Sequence, residues 1–302
     1  MSVRAFFTRF MLRHSLRKAL AKNHSIEAVR TMGSIAEAGF RLKKSEYPDI
    51  RIEALSLGGV TTELVAGEKM DRSRAILYIH GGGWVSCSPQ THRAITWRLA
   101  HLTGVPVYAV DYRLAPEHPY PAALNDALSA YEALLARGIE AENIVVAGDS
   151  AGGNLTLALA LLLKEEKKRF PAALVVLSPV TDLTAGGESF KTNANSDVVF
   201  TPDLLGRFAP IYAPDTDLKD PFVSPLFGDV SGLPPTLFQV AGSELLLDDS
   251  VRMARKMQEA EVDAVLEVWP GLWHVWQLTA DALPEAEEAL KKIAEFVKRY
   301  LP

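Results

Sequence analysis

Six nearly continuous apolar runs punctuate the chain, at Ala75–Ile79, 105–110, 144–147, Ala173–Leu177, 236–240 and Ala264–Trp269, with helical patterns between them. A strand that is apolar on both sides has to be covered on both sides, and helices packed on the two faces of a mostly parallel sheet do this. Ahead of these runs, Ile50–Leu57 and 60–65 are joined by Gly58-Gly59 and read as an opening hairpin. Ala122–Ala136 has apolar residues at spacings of three and four, and 153–168 is apolar nearly all round before a charged end. Pro284–Tyr300 reads as an amphipathic closing helix. The expectation is an α/β architecture, a mostly parallel eight-stranded sheet flanked by helices, without internal repeats or linkers.

Two segments fall outside that rhythm. Residues 182–225 contain no strand pattern, many Asn, Ser, Asp and Pro residues, and one short helical piece around 203–212. An insertion of this length in a domain is usually functional, and it reads as a helical cap. Residues 1–22 carry Arg4, Arg9, Arg13, Arg17, Lys18 and Lys22 with no acidic residue before Glu27. Their apolar residues Phe6, Phe7, Phe10, Met11, Leu16 and Leu20 fall roughly at helical spacing. The run is too short for a signal-peptide core or a stable membrane span. The favoured reading is a helix packing its aromatic face over the protein's own pocket, and interfacial membrane binding is the alternative. The domain expectation is therefore an N-terminal helical cap segment over 1–48 and a main domain over 49–302 carrying the insertion.

The composition narrows the partners. A length of 302 residues with 48% hydrophobic content supports one large domain and a sizeable core. A net charge of −5 does not recruit nucleic acid or anionic lipid as a whole. Cys87 stands alone, which points to a reducing, cytoplasmic setting. No CxxC or HExxH occurs and the seven histidines are scattered, so no metal site is readable.

Chemistry concentrates in two glycine-rich turns. Gly148-Asp149-Ser150-Ala151-Gly152-Gly153 follows an apolar strand and opens a helix, the context that a nucleophile elbow requires. The helix N-terminus behind Ser150 offers free N–H groups and a favourable dipole to a developing anion. His80-Gly81-Gly82-Gly83-Trp84 follows the strand Ala75–Ile79. Its glycines let backbone N–H groups approach a tetrahedral oxyanion, so Gly82, Gly83 and Ala151 are the expected donors. His80 reads as a prop for this loop, Asp149 as a partner for neighbouring loops, and Cys87 as a core thiol. Trp84, Trp273 and Trp276 read as pocket lining or core. His14, His24, His92, His101 and His118 read as surface or helix residues.

HGGGW, Asp111-Tyr112-Arg113-Leu114-Ala115-Pro116-Glu117 and GDSAGG occur in that order, and from about residue 50 onward the chain resembles the bacterial hormone-sensitive-lipase family of esterases. The resemblance implies an α/β-hydrolase fold, a helical cap, activity on short to medium acyl esters, and a homodimer through the edge strand Ala264–Trp269. Taken by itself, 111–117 reads only as a charged turn pairing Asp111 with Arg113. Such folds run serine, acid, histidine along the chain, and His274 in Pro270-Gly271-Leu272-Trp273-His274 is the late base. After strand 236–240 the commoner family pattern has an aspartate before Pro-Leu-Arg-Asp, whereas here stands Glu244-Leu245-Leu246-Leu247-Asp248. Glu244 aligns with the first aspartate and is the expected triad acid, with Asp248 the alternative acid or else, with Asp249, an N-cap or dipole partner where the next helix begins. The functional expectation is a serine carboxylic ester hydrolase working through an acyl-enzyme, with a small-molecule ester substrate and neither cofactor nor metal. Rival readings are an amidase or deacetylase on the same triad, and a non-catalytic receptor on a hydrolase-like scaffold.

Overall fold

Alternate side chains of a strand point to opposite sides of the sheet, and in β3 (Ala75–Ile79) both sets are apolar. Ala75, Leu77 and Ile79 enter one core and Ile76 and Tyr78 the other. Such a strand is stable only at the centre of a covered sheet. The computed structural model describes residues 2–15, 17–18, 25–31, 47 and 49–301. Its other strands are β1 (Ile50–Leu57), β2 (Val60–Gly67), β4 (Val107–Val110), β5 (Ile144–Asp149), β6 (Ala173–Leu177), β7 (Thr236–Ala241) and β8 (Ala264–Trp269). They form one sheet in the order β1-β2-β4-β3-β5-β6-β7-β8. The hairpin β1–β2 and the pair β2–β4 are antiparallel, and every later pairing is parallel.

The helices are α1 (Val3–His14), α2 (Arg93–Thr103), α3 (Ala122–Ala136), α4 (Ala151–Glu165), α5 (Ser189–Thr192), α6 (Pro202–Tyr212), α7 (Leu247–Glu259) and α8 (Pro284–Tyr300). Helices α3, α4 and α7 cover the Leu77 side of the sheet, while α2 and α8 cover the Ile76 side. The parallel register brings the functional loops to one edge. Ile79 lies opposite Gly148, and Ala241 lies opposite Trp269. The loops after β3, β5, β7 and β8 therefore leave the carboxyl end of the sheet together, where α/β sheets bind their ligands.

Several boundaries differ from the sequence expectation. Residues 105 and 106 precede β4 instead of belonging to it: Pro106 has no N–H for the ladder, though its carbonyl accepts from Ile76 N–H at 2.9 Å. Helix α4 starts at Ala151, directly after Ser150, and stops at Glu165, short of Lys167 in the left-handed region. Among the described residues the insertion 182–225 holds no strand, only α5, α6 and turns. Strand β8 does lie at the sheet edge.

The N-terminal segment departs most. Leu16, Leu20 and most of 32–48 lie outside the described residues. On α1, Phe6, Phe7, Phe10 and Met11 are exposed rather than packed over the pocket. The helix is instead fixed by its opposite face. Ala5 is buried, Ser2 hydroxyl donates to Glu285 at 3.0 Å, and Arg9 donates to Ser196 O, Ser243 Oγ and Gly271 O at 2.8–3.0 Å. Those polar anchors set the helix rotation and turn the aromatic face outward. Among the described residues, no helix is long and apolar enough to cross a membrane.

Candidate active site

Strand β5 ends at Asp149 and α4 begins at Ala151, which leaves Ser150 alone in the turn with φ 53° and ψ −117°. A non-glycine residue in that region is strained and is held only by its surroundings. Here Ser150 N–H donates to Leu177 O at 2.8 Å and its carbonyl accepts from Asn154 N–H at 3.0 Å. Gly152 makes the turn fit, because a Cβ there would stand 2.0 Å from the carbonyl oxygen of Ile79. The first turn of α4, with Ala151 at its head, presents N–H groups that have no intrahelical acceptor.

The glycine loop after β3 lies beside this turn. Gly82 has φ 117°, and a Cβ on it would meet Ser86 O at 2.2 Å, so a side chain is excluded there on both counts. Asp149 ties the loop to the elbow: Gly81 N–H donates to its Oδ1 at 3.1 Å, as does the Tyr78 hydroxyl at 2.7 Å. On the other oxygen stands His92 Nε2, at 3.1 Å. Burial alone would raise the Asp149 carboxyl, but His92 and Tyr78 outweigh it and hold it below its ordinary range. His92 ends the short 3-10 helix Pro89–His92, so it is a helix residue as the sequence suggested, but a buried partner of Asp149 rather than a surface one. His80 is stacked on Tyr112 at 4.2 Å, and its Nδ1 lies 2.7 Å from Gly81 O. Burial, reinforced by the charge of His92, lowers its pKa to about 3, so it is a neutral prop.

His274 follows β8 and Glu244 follows β7. Nδ1 of His274 stands 3.5 Å from Glu244 Oε2. Burial by itself would lower the imidazole, yet the Glu244 carboxylate wins and raises it above its ordinary value. Burial raises Glu244 in turn, opposed by His274. The Ser178 hydroxyl donates to the same Oε2 at 3.0 Å, and Asn193 donates to the Glu244 carbonyl at 2.9 Å. Asp248 is elsewhere: its carboxylate accepts from Ser189 N–H at 2.8 Å, anchoring α5 of the insertion from the first turn of α7. It does not cap α7, where Leu246 holds the cap position, but with Asp249 it stands in the first turn, as expected of a dipole partner.

Ser150, His274, Gly82 and Gly83 open onto one cavity of about 330 Å³. Its remaining wall is almost wholly apolar. The insertion supplies Phe190, Phe200, Leu204 and Phe208, and α1 supplies Leu12. Such a lining suits an acyl chain or a hydrophobic alcohol better than a charged ligand. Among the described residues no group of metal-ligating side chains is assembled.

A family model described as the α/β-hydrolase fold matches residues 76–278. An esterase of Acinetobacter venetianus is 39% identical over 96% of this chain and 95% of its own. An ethyl acetate hydrolase of Pseudomonas putida is 36% identical over 75% of this chain and 73% of its own. The crystal structure of an esterase from the bacterial hormone-sensitive-lipase family superposes with a TM-score of 0.93 at 37% identity, covering 100% of this chain and 99% of that one. The chain belongs to the α/β-hydrolase family, in its hormone-sensitive-lipase group.

Within this hydrolase the glycine loops, Ser150 and His274 stand on the turns that the sequence indicated, and His80 and Asp149 support those loops as read, whereas further supports carry no motif. Trp84 lines the cavity edge-buried and stacks on Tyr212 at 4.2 Å and 9°. Trp273 lines the cavity too, while Trp276 packs against Trp269 in the core. Cys87 also lines it, its thiol pushed up by burial. Arg113 pairs with Asp126 at 2.7 Å, not with Asp111, because Asp126 on α3 faces it across the turn. Ser178, Asn193 and Phe200, the last edge-on to His274 at 4.8 Å, come from segments with no motif to announce them.

Proposed function

We propose that this carboxylesterase hydrolyses esters of short to medium acyl chain through an acyl-enzyme on Ser150. His274 takes the Ser150 proton as the hydroxyl attacks the ester carbonyl, and the oxyanion is received by the N–H groups of Gly82, Gly83 and Ala151. Glu244 orients the imidazole and stabilises the imidazolium. His274 then protonates the leaving alcohol, and water repeats the cycle on the acyl-enzyme. The observation that carries this reading is the shared apolar cavity of Ser150, His274 and the glycine loop, with the buried Glu244 carboxylate behind the imidazole. The cavity's modest volume, closed by insertion 182–225 acting as a cap and by α1, supports the short acyl preference, as does the name of the ethyl acetate hydrolase relative.

The test pairs a fluorophosphonate titration with an ester panel. One equivalent of probe should label wild type and none should label Ser150→Ala, and a four-carbon ester should turn over faster than a sixteen-carbon one. Retention of more than a tenth of wild-type turnover by Ser150→Ala would overturn the nucleophile assignment. A preference for the long ester would overturn the short pocket. The lone Cys87 supports a cytoplasmic location. The free edge of β8, with Val268 exposed, supports a homodimer through that strand. A monomer in sedimentation would end the dimer reading.

A further inference from the structure

Seven large apolar side chains stand exposed among the described residues, and five of them lie on α1: Val3, Phe6, Phe7, Phe10 and Met11. Each of the five is more than half exposed. At spacings of three and four they form one stripe along the helix. This is a concentrated patch, unlike the single exposed apolar residues any surface carries. The stripe cannot turn inward, because Ala5, Arg9 and Leu12 occupy the opposite face and Arg9 is hydrogen-bonded to three separate loops.

The charge around the stripe has one sign. Arg4 and Arg13 fall at its two borders and are exposed, as is Lys18 beyond the helix end. Residues 1–22 carry six basic and no acidic side chains in a chain whose net charge is −5. A helix with an aromatic face rimmed by cations lies in the headgroup plane of an anionic bilayer, the rings among the acyl chains and the cations on the lipid phosphates. A second copy of α1 is a poorer occupant, since pairing two stripes sets Arg4 and Arg13 against like charges at the seam.

We propose that α1 is an interfacial docking helix that seats this enzyme on an anionic phospholipid surface. Docking on the outer face leaves the inner face in place, where Leu12 forms part of the cavity wall. The catalytic cavity then lies one helix away from the lipid, within reach of esters dissolved in the bilayer. The docking itself does not depend on the catalytic assignment, so it is read by binding.

Flotation of the full chain with vesicles of phosphatidylcholine and phosphatidylglycerol in equal amounts, against phosphatidylcholine alone, tests it. The anionic vesicles should bind roughly a hundredfold more tightly, as three cations near an anionic surface imply. The triple variant Phe6→Ser, Phe7→Ser, Phe10→Ser should lose about tenfold or more of that binding. The pair Arg4→Glu, Arg13→Glu should lose the preference for anionic lipid. Both variants should hydrolyse a soluble butyrate ester within about twofold of wild type, which shows that the pocket is intact. Wild type alone also decides: raising salt from about 50 to about 500 mM should release the protein. Equal partition to both vesicle types, or salt-insensitive binding, would overturn the proposal. So would a wild-type dimer that the triple serine variant dissolves.

Discussion

Glu244 and Asp248 lie one turn of chain apart, and the single carboxylate that reaches the imidazole is Glu244, 3.5 Å from His274 Nδ1. If Glu244 is the triad acid, Glu244→Gln should lower kcat by about 10³-fold or more with little loss of stability. The same change gives a second, independent readout. Glu244 raises the His274 pKa above its ordinary 6.5, and the base works only when neutral. The acid limb of kcat/KM should therefore have its midpoint above that value in wild type. Removing the carboxylate destabilises the imidazolium, so the limb in Glu244→Gln should move to lower pH. A limb that stays put, together with a near-normal rate, would show that the acid is elsewhere. Asp248→Asn, by contrast, loses a charged acceptor for Ser189 N–H. It should cost about 1 kcal/mol of stability, measured by denaturant unfolding, and leave the pH limb unmoved. The sequence indicated Glu244 only through its place after a strand end. It could not indicate Ser178 or Asn193, whose contacts with Glu244 join segments 66 and 51 residues apart.

At the scale of elements, what was legible follows from whether a pattern is local. Continuous apolar runs identify the central strands because both faces of each strand are buried. The two glycine turns were legible for the same reason: each sits between a strand and its next segment, and close packing permits no other residue. Gly82 illustrates the constraint, with φ 117° and Ser86 O only 2.2 Å from where a Cβ would lie. Gly82→Ala should displace the oxyanion loop and lower kcat by about 10²–10³-fold while KM changes little. Steady-state kinetics on a butyrate ester check this, and a KM effect without a kcat effect would remove Gly82 from the donor set. The insertion 182–225 was legible only as an interruption. Its α5 and α6 are short and polar on their outer sides, and their inner residues Phe190, Leu204 and Phe208 form a wall only once the chain has folded back over the sheet edge.

At the scale of the molecule, two arginines bind the N-terminal segment across the site. Arg30 donates to Val85 O at 2.7 Å, behind the glycine loop after β3, and pairs with Glu117. Arg9 spans the insertion at Ser196, the Glu244 loop at Ser243 and the His274 loop at Gly271. No single-sequence pattern marks such a clamp, because an arginine at a helical spacing reads as a solvated charge and only the fold brings three loops to it. Burial and the nearby Arg13 lower the Arg9 pKa from its ordinary value, but a guanidinium remains charged throughout the working range. Its hydrogen bonds are therefore present at every pH at which the enzyme works. Deleting residues 1–22 removes the clamp and the Leu12 wall together while leaving Ser150, His274, Glu244 and both glycine turns untouched. Substrate positioning should suffer more than chemistry, so KM for a butyrate ester should rise about tenfold and kcat should fall by less than that. Arg9→Ala should reproduce part of the KM rise with Leu12 still present, and Arg9→Lys should recover little, since the three acceptors are divided between Nη1 and Nη2 and a single ammonium nitrogen cannot stand at both places. A deletion that lowers kcat and leaves KM unchanged would place the segment in the chemistry rather than in the pocket wall.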